Sequence, residues 1–174
     1  MLLNHSGTTF ILGGARSGKS GFAERLIGES GLEAVYVATG RSFDTEMEDR
    51  IRHHKQRRGP EWRTIEEPLA LVGVLEEQGR EGRALLVDCL TLWVTNLMMD
   101  DRDIETEASR LAETLTVTAG AVVLVSNEVG LGIVPDNAMA RQFRDHAGRL
   151  HQLVAAQAQD VYLMAAGLPL KMKG

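Results

Sequence analysis

Short apolar runs rich in β-branched residues alternate along this chain with longer stretches in which apolar positions return every three or four residues. The first kind suits strands whose two faces are both covered, the second suits amphipathic helices packed on a sheet. Strands are predicted at 8–12, 34–38, 84–87, 121–125 and 161–164, with weaker candidates at 62–64 and 170–172. Between them Ile104, Ala108, Leu111 and Leu115 recur at helical spacing, as do Met139, Phe143, Leu150 and Val154 after Pro135. Pro135 is expected in the first helical turn, where its missing N–H costs nothing. Strand alternating with helix is the signature of βα units, so an α/β fold with a mostly parallel central sheet is expected. No internal repeat, low-complexity tract or linker breaks the pattern, and residues 1–174 are read as one domain.

The run 8–12 leads straight into Gly13-Gly14-Ala15-Arg16-Ser17-Gly18-Lys19-Ser20, which fits the phosphate-loop pattern G-x-x-x-x-G-K-[ST] between a strand and a helix start near Ser17. Glycines at these positions let successive backbone N–H groups turn inward around a polyphosphate, and the positive end of the helix dipole adds to the attraction. Lys19 would reach the β- and γ-phosphates, and the Ser20 hydroxyl would ligate the Mg²⁺ that bridges them. The plain alternative is a tight strand-to-helix connection that binds nothing. A nucleoside triphosphate is the expected ligand.

A second strand, 84–87, closes on Asp88. A carboxylate there can hold Mg²⁺ or its water shell opposite the phosphate loop, or it can cap the helix that follows from Leu90. The strand 121–125 ends on Ser126-Asn127-Glu128, again placing polar groups where α/β proteins bind ligands, although turn and cap chemistry accounts for them equally.

Charge narrows the function. Acidic residues outnumber basic ones by 24 to 19 over 174 residues, for a net charge of −5, which argues against a general nucleic-acid or anionic-membrane binder. One cysteine, Cys89, excludes an internal disulfide and suits a reducing compartment. No stretch approaches the ~18 apolar residues of a membrane span, and the first residues lack the features of a secretory signal, so a cytoplasmic location is expected. The five histidines and Cys89 show no zinc-ligand spacing.

Against this acidic background residues 50–58 read Arg-Ile-Arg-His-His-Lys-Gln-Arg-Arg, with five of nine positions cationic besides the histidines. As a helix from Asp44, the segment puts Met47, Ile51, His54 and Arg58 on one inward stripe. His53, about 100° round the helix, shares the other side with Asp49, Arg50 and Arg57. An exposed imidazole among cations can attack the α-phosphorus of a triphosphate, but an ordinary solvent-facing pair of histidines gives the same pattern.

These blocks together, GGARSGKS, YVATG, DTEMEDRIRHHKQRRGPEWRTIEEP, LLVDCLTLWVTNL, SNEVGLGIVPDNAMARQFRDHAGRLHQ and LPLKMK, resemble the bifunctional adenosylcobinamide kinase / adenosylcobinamide-phosphate guanylyltransferase family of cobalamin biosynthesis. The likeness runs nearly end to end. It implies a RecA-like P-loop fold with helices on both faces of the sheet. It also implies two reactions: phosphorylation of the aminopropanol hydroxyl of adenosylcobinamide with ATP or GTP, then transfer of GMP from GTP to that phosphate with release of pyrophosphate. By the same resemblance His53 carries GMP covalently, and Gly13 to Ser20 hold the GTP phosphates. Thr39, Gly40 and Arg41 line the nucleotide site from a neighbouring strand end, and Lys55, Gln56, Arg57, Arg58 and Glu66 complete the guanylylation site. Glutamate is expected where this chain has Asp88, a carboxylate one methylene shorter that can still serve Mg²⁺ through water. A homotrimer with sites between subunits is implied as well. The nearest alternative is a monofunctional P-loop small-molecule kinase in which the histidine helix is only a surface; a nucleotide-gated motor module would need a basic path for nucleic acid that this chain lacks.

Overall fold

All seven predicted strands form; the five inner ones are runs of mostly buried side chains, whereas the two edge strands are largely exposed. The computed structural model describes residues 3–41 and 59–174. Among them are strands β1 (Gly7–Gly13), β2 (Glu33–Ala38), β3 (Arg63–Glu66), β4 (Arg83–Asp88), β5 (Ala121–Asn127), β6 (Asp160–Ala165) and β7 (Leu168–Lys173). The helices are α1 (Lys19–Gly28), α2 (Leu71–Gln78), α3 (Leu90–Met99), α4 (Ile104–Val117) and α5 (Ala138–Gln157). The segment read from sequence as the basic histidine helix, residues 44–58, lies outside the described residues.

One seven-stranded sheet runs in the order β3-β2-β4-β5-β1-β6-β7. Every pairing is parallel except the closing β6–β7 hairpin. Alternate residues of each strand feed opposite cores, as the period-two geometry of a strand requires. Phe10, Leu12, Val35, Val37, Leu85, Val87, Val122 and Leu124 meet helices α2 to α5 on one face. Ile11, Tyr36, Leu86, Val123, Val125, Tyr162 and Met164 meet Phe22, Ala23, Leu26 and Ile27 of α1 on the other. Helices therefore cover both faces, which is why the strands read as continuous apolar runs. No helix among the described residues is long and apolar enough to cross a membrane.

Two helix starts differ from expectation. Helix α1 begins at Lys19 rather than near Ser17, because Gly18 precedes it at φ 98°, a left-handed conformation that no helical turn accommodates. Helix α5 begins at Ala138, so Pro135 lies outside it; the cap is Asn137, whose side-chain oxygen accepts the Ala140 amide at 2.7 Å. Met139 is correspondingly 69% exposed, not part of the inward stripe, whereas Leu150 and Val154 are buried as expected.

Candidate functional site

The phosphate loop springs from the carboxyl end of β1, near the centre of the sheet. Gly13 and Gly18 are the positions where a side chain fails. A Cβ on Gly13 would come within 2.6 Å of the Met164 carbonyl oxygen and 2.7 Å of Ser17 Oγ. At Gly18 a Cβ would stand 3.1 Å from the Gly167 Cα, in the turn of the β6–β7 hairpin, which holds the loop through a Gly167 N–H to Ser17 O bond of 3.0 Å. Arg16 takes a left-handed φ of 55° between them. Gly14, Ala15 and Arg16 are exposed, while Lys19 is buried. Its ammonium donates to Gly14 O at 2.6 Å and Ser17 Oγ at 3.4 Å, inside the curve of the loop.

Lys19 has its pKa lowered by burial, against the attraction of Cys89 and Asp88. The Cys89 thiol is pushed up to about 11, chiefly by burial, so it is neutral near pH 7 and Asp88 is the standing counter-charge.

Asp88 ends β4, and β5 separates it from β1. The Ser20 hydroxyl nevertheless donates to Asp88 Oδ2 at 2.9 Å, so the two residues predicted to serve one metal ion touch. A hydroxyl and a carboxylate side by side at the start of a helix are hard oxygen donors of the kind Mg²⁺ prefers. The capping alternative for Asp88 does not hold: Cys89 occupies the N-cap of α3, without a side-chain cap bond.

Residues expected on a neighbouring strand end sit further off. Thr39, Gly40 and Arg41 follow β2, which is three strand spacings from β1, roughly 14 Å at ~4.8 Å per spacing. Glu66 ends β3, one strand beyond, and is exposed. They share the carboxyl edge of the sheet with the phosphate loop without adjoining it within the chain. Thr39 is fully buried: its hydroxyl donates to Cys89 O at 2.7 Å and accepts from Cys89 N at 2.9 Å, tying the ends of β2 and β4 together. Asn96 of α3 reinforces that tie by donating to Thr39 O at 2.7 Å and Pro68 O at 3.0 Å. Arg41 makes a two-point ion pair with Asp100, at 2.7 and 3.1 Å. His53, Lys55, Gln56, Arg57 and Arg58 lie outside the described residues.

The end of β5 supplies groups to the centre of the site. Asn127 stands in register with Gly13, and its side-chain amide donates to the Thr91 hydroxyl at 3.3 Å. The Glu128 amide donates to Gly13 O at 3.0 Å. Behind them Ser126 Oγ meets His151 Nε2 at 2.8 Å, with both residues buried. Neither the Asn96 tie nor the Ser126–His151 contact left a signal in the sequence: Asn96 shares the buried face of α3 with another polar residue, Thr91.

Comparison with known proteins agrees with this arrangement. The family model "Cobinamide kinase / cobinamide phosphate guanyltransferase" matches residues 9–172. The bifunctional adenosylcobalamin biosynthesis protein CobP of Pseudomonas aeruginosa is 51% identical, over 94% of this chain and 96% of that protein. Its counterpart CobU of Escherichia coli is 41% identical, over 94% and 98% respectively. Among solved structures, the flagellar accessory protein FlaH from Methanocaldococcus jannaschii aligns with TM-score 0.56 at 12% identity, covering 98% of this chain and 80% of that one. An ATPase of the type III secretion system of pathogenic bacteria aligns with TM-score 0.58 at 11% identity, over 95% and 56%. Those two likenesses concern the fold alone, which is the RecA-like P-loop fold. With a buried lysine and a serine–aspartate contact at the phosphate loop, and relatives that are bifunctional rather than simple kinases, this chain belongs to the cobinamide kinase / cobinamide phosphate guanyltransferase family.

Proposed function

We propose that this chain phosphorylates the aminopropanol hydroxyl of adenosylcobinamide with ATP or GTP, then transfers GMP from GTP to that phosphate, as a cytoplasmic homotrimer. The observation that carries the nucleotide half is the contact of Ser20 with Asp88 beside the buried Lys19 at the phosphate loop. In the first reaction the acceptor oxygen attacks the γ-phosphorus and the nucleoside diphosphate leaves. Backbone amides of residues 13–20 and the Lys19 ammonium hold the β- and γ-phosphates in line, so positioning and fixed charge supply most of the effect. Ser20 and Asp88 would hold Mg²⁺, which neutralises charge between those phosphates when bound.

In the second reaction the His53 imidazole attacks the α-phosphorus of GTP, forming a P–N bond as pyrophosphate departs. The phosphate of the corrinoid then displaces the imidazole and takes GMP. Lys55, Arg57 and Arg58, with Gln56 and Glu66, are assigned to this half on the strength of the family blocks in which they stand. Dividing the transfer keeps two polyanions from meeting in one step. Replacing His53 with alanine should abolish GMP transfer and the acid-labile label that α-labelled GTP leaves on the protein, while corrinoid phosphorylation stays within about threefold of wild type. Equal loss of both activities would count against this division, and three chains per particle by light scattering checks the trimer.

A further inference from the structure

The carboxylates at the carboxyl edge of the sheet are committed to different partners. Asp88 receives the Ser20 hydroxyl. Glu67 accepts the amides of Leu69 and Ala70, and Asp100 is held at both oxygens by Arg41. Glu128 is placed differently. Its own N–H is bonded to Gly13 O at 3.0 Å, so its side chain departs from the first glycine of the phosphate loop. Oε1 receives the Gly130 amide, which fixes the carboxylate over the turn, while Oε2 accepts no hydrogen bond among the described residues. Half-buried and steadied on one oxygen, the carboxylate offers its other oxygen, unbonded among the described residues, as a proton acceptor.

From Glu128 the chain runs through a segment without charge, Val129-Gly130-Leu131-Gly132-Ile133-Val134. Leu131, Ile133 and Val134 are 86, 98 and 60% exposed. The far end of the segment is pinned: Arg141 donates to Pro135 O at 2.8 Å and Asp136 O at 2.6 Å. Bulky apolar side chains anchored at both ends and turned outward mark a surface that something covers. Its position names the occupant. Whatever accepts the γ-phosphoryl group must bring its hydroxyl to the phosphate loop, so its body rests on surface continuous with that loop. A corrinoid offers a methyl-fringed macrocycle and neutral amide arms, which suits an uncharged apolar seat beside a polyanion site.

We propose that residues 128–134 form the acceptor subsite of the phosphorylation step, with Glu128 as its general base and Leu131, Ile133 and Val134 as the seat of the macrocycle. This rests on the kinase reading above. As the acceptor oxygen bonds to the γ-phosphorus, its proton passes to the Glu128 carboxylate. The bond from the γ-phosphorus to the β,γ-bridging oxygen breaks, and the nucleoside diphosphate keeps the electron pair. The second reaction makes no such demand, because its acceptor is a phosphate already ionised at neutral pH. Glu128 thus serves one reaction of the two, whereas the apolar seat serves both.

Steady-state kinetics of the whole chain with GTP, Mg²⁺ and either cobinamide or prepared cobinamide phosphate test this. Glu128→Gln should lower kcat for phosphorylation by about 10²- to 10⁴-fold with KM for GTP within about twofold, and leave GMP transfer to cobinamide phosphate intact. Glu128→Asp, which keeps the carboxylate, should recover part of the loss. The double change L131N/I133N should raise the corrinoid KM at least about tenfold in both reactions without moving KM for GTP. Phosphorylation by Glu128→Gln within about threefold of wild type, or loss of both reactions together, overturns the role of the base. An unchanged corrinoid KM in L131N/I133N, accompanied by a smaller particle in light scattering, assigns the apolar surface to a second copy of the chain and overturns the seat. A wild-type chain that phosphorylates no corrinoid overturns the functional reading along with both parts.

Discussion

His151 has no place in the reactions, yet its surroundings make a prediction at the level of a single residue. The ring is buried, touches Ser126 Oγ at 2.8 Å and packs against Phe10 with ring centroids 5.6 Å apart. Burial holds its pKa below the ordinary histidine value, against a smaller upward pull from the Glu128 charge. In the unfolded chain the imidazole titrates near the ordinary ~6.5, so below that pH the unfolded state binds the extra proton and the folded state resists it. Stability contributed by neutral His151 is therefore present above about pH 6.5 and lost as pH falls through it, at no more than about 1.4 kcal/mol per pH unit. Urea midpoints measured from pH 8 to 5 should fall more steeply for wild type than for His151→Gln, and parallel curves would refute the assignment. The same residue shows what one sequence leaves unread. The phosphate loop was legible because its chemistry is carried by consecutive residues, and Asp88 because an apolar run ends on it. Ser126 with His151, Thr39 with Cys89, and Asn96 with Thr39 are pairs 25, 50 and 57 positions apart. They exist only through the strand order, and no local pattern announces them.

Between residue and fold, the helix ends decide where the site's loops begin. Asn137 is the cap of α5: its Oδ1 takes the Ala140 amide, and the carbonyls just before it hold Arg141. Asn137→Ala should cost about 1 kcal/mol, read as a lower urea midpoint and a melting temperature lower by roughly 2–4 °C, whereas Asn137→Gly should cost only a few tenths of that energy. The inner strands were readable because both faces of the sheet are covered there, so each is a run of mostly buried apolar side chains, whereas the exposed edge strands β3 and β7 gave weaker signals; most observed ends reach a residue or two further, where polar groups still pair in the ladder. Helix α2 was not readable. It spans 8 residues, carries Gly73 in its interior and has Ala70 at its N-cap, without a side-chain cap bond, so neither length, propensity nor capping signals it. Its place is set by Leu71, Val72 and Leu75, buried against the sheet.

For the whole molecule, the strand order sets what nucleotide binding does to stability. With β5 inserted between β1 and β4, the phosphate loop and Asp88 face each other across one strand, and Ser20 closes the gap. Lys19 is buried in this arrangement with its pKa lowered, first by burial. A cation held away from water, with backbone and hydroxyl oxygens as its direct partners, does little for the folded state by itself; its use begins when phosphates arrive. A ligand that binds only the folded chain stabilises it by RT ln(1 + [L]/Kd), about 2.7 kcal/mol at a hundredfold excess over Kd. For a chain of this size that is a rise of roughly 5–11 °C in melting temperature. GTP with Mg²⁺ should produce such a rise, and chelation of the Mg²⁺ by EDTA should shrink it. Lys19→Met keeps the apolar stem and removes the charge, so without nucleotide it should melt no lower than wild type, and GTP should no longer raise its melting temperature. A methionine variant that melts well below wild type yet keeps the full GTP response would make Lys19 a prop of the fold, and the phosphate-binding role would pass to the loop amides alone.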